Sequence, residues 1–298
     1  MTYWTLLVTR DGEKSIASTV QSILAQTKPP SVILIVDDGS TDRTREILHE
    51  AEKRYSPRIQ SVVLPDRGYD IRRVVNNLNV AMQKADEVGV ETDYVLISGD
   101  DCIYPSNYVE HLVSEMERDQ DLVVASGSIL EPNGPREYFA PHGSGRIVRS
   151  RFFQQLGNRY PPYYGYETWL LFEALRAGFK IRNFGELRFK HSRRQGSLHA
   201  FDDWGLAMRC LGFHPLEVVR RCLTDLDRQH IPLSACLKML YDYFKPISRK
   251  EDPYFKLYSK AFRRFVSEHQ RRQISLSKLA LLLVKSLIKL PCAIASPF

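Results

Sequence analysis

The sequence predicts an α/β protein with a mostly parallel sheet flanked by helices, followed by a helical C-terminal extension. Three observations predict it. Up to about residue 100, short apolar runs bounded by turn residues alternate with segments of helical apolar spacing. Two of those runs stop at acidic turns, Asp37-Asp38-Gly39-Ser40 and Gly99-Asp100-Asp101. From about Asp202 onward the patterns are helical alone, punctuated by Pro215, Pro232, Pro246 and Pro253.

Trp4 to Thr9 reads as a buried strand ending at a polar turn, and Ser15 to Gln26 has helical spacing. Val32 to Val36 is a second buried strand, after which Ser40 or Thr41 offers an N-cap for a helix. Ile59 to Leu64 gives a third strand, Val74 to Ala85 a helix, and Tyr94 to Ser98 a fourth strand. This alternation is that of βαβ units, whose crossovers make the strands parallel. After residue 130 prolines and glycines mark loops; a helix is expected over Tyr166–Ala177 and two short strands near Lys180–Asn183 and Leu187–Lys190. A boundary falls near 205, giving a catalytic domain over 1–205 and a helical region over 206–298.

Apolar residues make up 43% of the 298 and charged residues 26%, which excludes a disordered chain. The charge is uneven. Residues 215–298 carry 16 Lys and Arg against 7 Asp and Glu, a net +9; the first 214 carry 26 against 28, a net −2. A nucleic-acid enzyme places its positive charge around the working cleft, so no nucleic-acid partner is expected. A basic tail suits an anionic membrane surface. The five cysteines are odd in number and form no C-x-x-C pair, so they read as reduced thiols. The opening MTYWTLLVTRDGE reads as a strand, not a signal peptide.

Ligands of open α/β sheets bind outside the carboxyl ends of the strands. Two acidic pairs sit at such ends, Asp37-Asp38 and Asp100-Asp101. Clustered carboxylates repel one another unless a cation is bound, and they suit hard ions such as Mg²⁺ or Mn²⁺. Asp-Gly and Asp-Asp are also ordinary turn formers; it is the recurrence at two strand ends that points to chemistry.

LLVTR at the first strand, SILAQTKPPSVILIVDDGSTDRT around the second and LISGDDCIYP at the fourth resemble the family 2 glycosyltransferases. The resemblance covers roughly residues 1–200. It implies a GT-A-type, Rossmann-like fold, a nucleotide-sugar donor (a UDP-sugar by preference), a divalent metal, Mn²⁺ or Mg²⁺, and inverting transfer to an acceptor hydroxyl. It further implies that Thr9 and Asp38 line the base pocket, Asp38 accepting from a uracil imide, while Asp100 meets ribose or sugar hydroxyls and Asp101 the metal. Where the family often has Ala-Arg-Asn-x-Gly, this chain has Asn76, Asn77 and Asn79 in the arginine, asparagine and glycine positions. Arg72 or Arg73, one turn earlier, either takes over the diphosphate contact or is a solvated helix arginine.

An inverting enzyme needs a base for the acceptor proton. The resemblance assigns it to Glu167 in Gly165-Tyr166-Glu167-Thr168-Trp169, a helix start where the dipole alone would also favour a carboxylate. His191 in RFKHSRRQGS is a further metal candidate or a structural histidine. Arg193 and Arg194 either close over the diphosphate or form a basic surface turn. Trp169 either stacks on an acceptor sugar or packs in the core, and the tyrosines of RYPPYYGYE either shape the acceptor site or pack.

In SLSKLALLLVKSLIKL, Lys278, Lys285 and Lys289 share one helix face beside a broad leucine arc. That predicts an interfacial helix holding the protein peripherally at the cytoplasmic face of the cell membrane, with a glycan or lipid-linked acceptor. The alternative is a helix packed on the catalytic domain or in a homodimer. A sugar nucleotidyltransferase would open with a glycine-rich loop where LLVTRDGEKS has one glycine; a GT-A binding module without turnover would not need Asp38, Asp101 and Glu167 together.

Overall fold

The structure is a computed structural model that describes residues 1–130, 140–162, 164–193, 203–227, 231–246, 256–275 and 282–283. Strands β1 (Tyr3–Thr9), β2 (Ile33–Asp37), β3 (Ile59–Val63) and β4 (Tyr94–Gly99) alternate with helices α1 (Ile16–Leu24), α2 (Thr44–Tyr55) and α3 (Val74–Glu87), the last preceded by a 3₁₀ turn at Ile71–Arg73. β1 pairs in parallel with both β2 and β4, and β2 with β3. The side chains of β1, β2 and β4 are almost wholly buried because crossover helices cover both faces of a parallel sheet, which is why those runs are continuous and not alternating; at the sheet edge only Ile59 of β3 is buried.

The sheet is extended by β5 (Cys102–Ile103), β6 (Leu122–Ile129), β7 (Arg146–Arg149) and β8 (Lys180–His191), with α4 (Tyr108–Arg118), α5 (Ser150–Gln155) and α6 (Tyr166–Arg176) between them. The strand order is β3-β2-β1-β4-β7-β6-β8-β5. β7 runs antiparallel to β4 and β6, and β8 runs parallel to β6. The two strands expected near residues 180 and 187 are one. The register slips from Gly127↔Phe184 to Ser128↔Arg188, so β8 bulges around Gly185–Leu187. Gly127 makes room for the bulge: a Cβ there would stand 2.1 Å from the Leu187 carbonyl oxygen.

The chain divides into two compact units, Met1–Pro161 with Leu170–Arg194, and Pro162–Trp169 with Gln195–Phe298. The second takes in the helices α7 (Trp204–Leu211), α8 (Pro215–Asp227), α9 (Leu233–Phe244) and α10 (Lys260–Gln273). The sequence places its boundary at 205; the contacts divide the chain at 194 and also assign the Pro162–Trp169 segment to the helical unit. Among the described residues no helix is long and apolar enough to cross a membrane. Cys102, Cys210, Cys222 and Cys236 are buried free thiols. Arg194, Cys292 and the tail lysines Lys278, Lys285 and Lys289 lie outside the described residues.

Candidate active site

The carboxyl ends of β1, β2 and β4 lie side by side, so the residues that follow them converge. Thr9 closes β1, and its Oγ1 donates to Asp100 Oδ2 at 2.7 Å. Gly12 permits this approach, since a Cβ there would stand 2.5 Å from Thr9 Oγ1 and 2.8 Å from Asp100 Oδ2. Thr19 of α1 donates to the Asp100 carbonyl at 2.9 Å, fixing the turn from behind.

The two aspartates after β2 divide their work. Asp37 is fully buried; its carboxylate accepts from the Ser40 amide (3.0 Å), the Ser40 hydroxyl and Arg45 Nε (3.2 Å). It therefore ties the turn together, as an aspartate at a turn's first position does. Gly39 supplies the positive φ of +73° that the turn needs. Asp38 instead faces Arg73, which donates from Nε at 3.2 Å and Nη2 at 2.9 Å. Arg10 braces the same turn from Nη1 to the carbonyls of Asp38 and Gly39, while its Nη2 meets Asp66 at 2.8 Å. Of the two arginines ahead of α3, Arg73 is the one on Asp38; Arg72 pairs with Asp70 at 2.8 Å. Asn77, on α3, is 3% exposed and its amide nitrogen finds no partner among the described residues. Asn79 holds Tyr160, donating to its carbonyl (3.0 Å) and accepting from its amide (2.9 Å), which gives a structural reason for an asparagine where the family pattern has glycine.

The third cluster is assembled by a two-residue ladder. β5 pairs antiparallel with the end of β8, setting Cys102 opposite His191. His191 Nε2 thereby stands 3.2 Å from Asp101 Oδ1. Its Nδ1 lies 2.6 Å from the Arg193 carbonyl, an acceptor only, so Nδ1 donates there and Nε2 is left to face the carboxylate. An imidazole nitrogen and a carboxylate oxygen 3.2 Å apart call for a proton or a cation between them. The Asp101 carboxyl is pushed above its usual range by burial, against the opposing pull of His191. Arg193 reaches the same carboxylates, donating from Nε to Asp101 Oδ2 at 3.1 Å and from Nη2 to Asp100.

These residues fit a hard divalent ion. Two neighbouring ligands of an octahedral ion with bonds of about 2.1 Å stand about 3 Å apart, close to the Asp101–His191 separation. A histidine that ligates through one nitrogen commonly donates the other to a carbonyl, as His191 does. Asp101, Cys102 and His191 place their ligand atoms within 4.8 Å of one another. Burial pushes the Cys102 thiol up to about 12, and hard ions such as Mg²⁺ or Mn²⁺ take oxygen ligands in preference to soft thiolates.

Glu167 and Trp169 belong to the helical unit. Glu167 is exposed in the first turn of α6. The loop before it is held by Tyr258, whose hydroxyl donates to the Tyr164 carbonyl at 2.7 Å, with Tyr164 at a φ of +58°. Trp169 is half-buried, its amide bonded to the Gly165 carbonyl at 2.8 Å. Arg10, Gly12 and Arg73 completed the turns without a signal of their own. Arg10 closes the LLVTR stretch without a role of its own in the sequence reading, Gly12 falls in an ordinary polar stretch, and spacing does not tell Arg73 from Arg72.

A mostly parallel sheet with acidic turns at the carboxyl ends of β2 and β4, side by side with that of β1 and one of them facing a histidine, defines a GT-A-type sugar transferase architecture. The chain belongs to glycosyl transferase family 2, whose family model matches residues 5–179. Glycosyltransferase GlyG of Streptococcus pneumoniae serotype 4 is 24% identical over 240 residues, spanning 79% of this chain and 76% of that protein. In fold the chain resembles S. aureus TarS 1–349 in complex with UDP-GlcNAc (TM-score 0.52, 16% identity, 96% of this chain and 88% of that one). It also resembles the mannosyltransferase PcManGT of Pyrobaculum calidifontis in complex with GDP-Man and Mn²⁺ (TM-score 0.55, 13% identity, 96% and 86%).

Proposed function

We propose that the protein transfers a single sugar, with inversion, from a nucleoside-diphosphate donor to an acceptor hydroxyl. The observation that carries the reading is the pair formed by Asp101 after β4 and His191 at the end of β8, a carboxylate oxygen and an imidazole nitrogen held 3.2 Å apart beside Asp100. Asp101 and His191 would hold a divalent ion, Mn²⁺ or Mg²⁺, and a bound ion would offset the charge of the departing diphosphate.

The protein's own groups do the rest. Asp38 has lone pairs beyond those used by Arg73 and can accept a base imide N–H, which favours uracil; the UDP-GlcNAc complex of TarS supports that preference. Asp100, already accepting from Thr9, is placed to accept from sugar or ribose hydroxyls. Arg193 supplies guanidinium donors suited to phosphate oxygens, and Arg194 follows it in sequence. Glu167 takes the proton of the acceptor hydroxyl as its oxygen attacks the anomeric carbon from the face opposite the diphosphate. The anomeric carbon–oxygen bond to the diphosphate breaks, the nucleoside diphosphate leaves, and Trp169 offers an aromatic face for the acceptor. The acceptor is a lipid-linked or membrane-borne glycan, with the enzyme held peripherally at the cytoplasmic face of the cell membrane.

The test is a thermal-shift screen of UDP-, GDP- and dTDP-sugars with and without Mn²⁺, followed by product analysis. A ligand bound to the folded state raises its melting temperature. A metal-dependent shift with UDP-sugars supports the reading. No shift with any nucleotide sugar, at concentrations that shift a control enzyme, contradicts it.

A further inference from the structure

The helical unit carries a second concentration of charge. Helices α7, α9 and α10 border a cavity of about 520 Å³ lined by Arg209, Lys260, Arg263 and Arg264, with Tyr243 and Phe244 on the α9 side. No carboxylate lines it among the described residues. Arg264 pairs with Glu268 at 2.7 Å, one turn further along α10, in an ion pair open to solvent. Arg209 and Arg263 are partly buried. Arg209 donates from Nη1 to the Lys245 carbonyl at the end of α9. Gly212, at a φ of +79° where α7 ends, would with a Cβ crowd Arg263 at 2.6 Å, so the glycine lets α10 press against α7. Lys260 opens α10, and the first turn of that helix contains no acidic residue. Cations at the positive end of a helix repel its exposed N–H groups as well as each other. An anion in the cavity relieves both, and guanidinium and ammonium donors together match phosphate oxygens.

A second feature adjoins the cavity. Leu237, Tyr241 and Phe244 are 57%, 68% and 57% exposed. Their spacing of four and three puts them on one face of α9, while Ala235, Cys236, Met239 and Asp242 bury the other. Phe244 belongs both to this stripe and to the cavity wall. A row of large apolar groups running into a cationic hollow has the composition of a surface that lies in the headgroup region of an anionic bilayer.

We infer that the cavity binds the phosphate of an anionic phospholipid while Leu237, Tyr241 and Phe244 seat among the headgroups. The inference deepens the peripheral membrane reading above and is independent of the transfer chemistry. The test uses the full chain and vesicles of phosphatidylcholine with or without phosphatidylglycerol. Wild type floats only with phosphatidylglycerol; Lys260→Glu with Arg264→Glu loses at least about tenfold in binding, as charge-driven lipid contact requires. The Leu237→Ser, Tyr241→Ser, Phe244→Ser variant also loses vesicle binding yet keeps a thermal shift by inorganic phosphate over chloride at equal ionic strength. All the substituted side chains are exposed, so these variants fold, and UDP affinity measured on each separates loss of this surface from loss of the donor site. Flotation that ignores phosphatidylglycerol or the charge reversal overturns the inference. A phosphate shift without any flotation makes the cavity a soluble-phosphate site and overturns the lipid assignment. Unaltered flotation with a change from dimer to monomer in the serine variant makes the stripe a contact between copies, and overturns it too.

Discussion

His191 Nε2 and Asp101 Oδ1 meet at 3.2 Å although 90 positions separate them, because β5 and the last residues of β8 form a two-residue antiparallel ladder. Asp101→Ala is expected to abolish metal-dependent binding of nucleoside diphosphate while leaving the melting temperature of the metal-free protein close to that of wild type. His191→Ala should weaken it by at least about tenfold, the scale seen even for outer metal contacts. Calorimetry of UDP with Mn²⁺ decides both. Unchanged affinity in Asp101→Ala would remove that residue from the metal site.

Arg193 sits on Asp101, the carboxylate the ion would use, and on Asp100 beside it. A fixed cation and a free one compete for the Asp101 carboxylate. Arg193→Ala should therefore bind Mn²⁺ more tightly than wild type when nucleotide is absent, and bind UDP less tightly when Mn²⁺ is saturating. If both affinities fall together, Arg193 supports the site and does not compete for it.

Glu167→Gln removes the base and keeps the shape. Donor binding should persist, and transfer should fall by at least about 10²-fold, the usual scale of general-base catalysis. Near-normal transfer to a good acceptor would assign the proton to another group.

The aspartate turns were legible because a buried parallel strand is a continuous apolar run and its end is punctuated by Asp and Gly. The apolar pattern finds Asp37 and Asp38 but does not tell them apart; the resemblance singles out Asp38, and the hydrogen bonds separate the turn-tying Asp37 from Asp38, which faces Arg73. Periodicity gives no sign of the His191 contact, since a two-residue ladder leaves none; only the family resemblance offers His191 beside Asp101 as a metal candidate. β6 was missed for a different reason. Ser126, Gly127 and Ser128 dilute its apolar run, yet Ser126 and Ser128 are buried, and each hydroxyl meets the side chain of Asn183. Sequence hydrophobicity does not register polar groups whose partner arrives from a strand more than fifty residues later.

Tyr94, at the start of β4, donates its hydroxyl to Glu117, which also meets Arg149 at 3.3 Å. The tyrosine bond above all, with Arg149, holds the Glu117 carboxyl below its usual range. A group whose folded value is depressed stabilises the protein above its unfolded value, about 4.3 for glutamate, and that stability is lost as pH falls through the folded value. Tyr94→Phe should thus cost about 1 kcal/mol at pH 7, and the difference from wild type should shrink below about pH 4. Urea titrations at pH 7 and pH 3.5 test it; a difference that grows on acidification would contradict the assignment.

The last expectation concerns the tail. Residues 284–298 and most of 276–283 lie outside the described residues, so the case rests on sequence: the net +9 of residues 215–298, and Lys278, Lys285 and Lys289 on one face beside a leucine arc. Each basic residue near an anionic surface contributes roughly 1 kcal/mol, so these three would add about 3 kcal/mol to apolar insertion. Exposed charges are screened beyond about 10 Å at 0.1 M salt, so binding through the tail should weaken as salt is raised. A chain ending at Gln273 keeps the α7–α9–α10 cavity and loses the tail. It should float with anionic vesicles less than the full chain but more than the full chain carrying Lys260→Glu and Arg264→Glu in high salt, where both contributions are reduced. If the shortened chain floats as well as the full one at every salt concentration, the tail is no anchor, and the helical unit alone must account for any membrane contact.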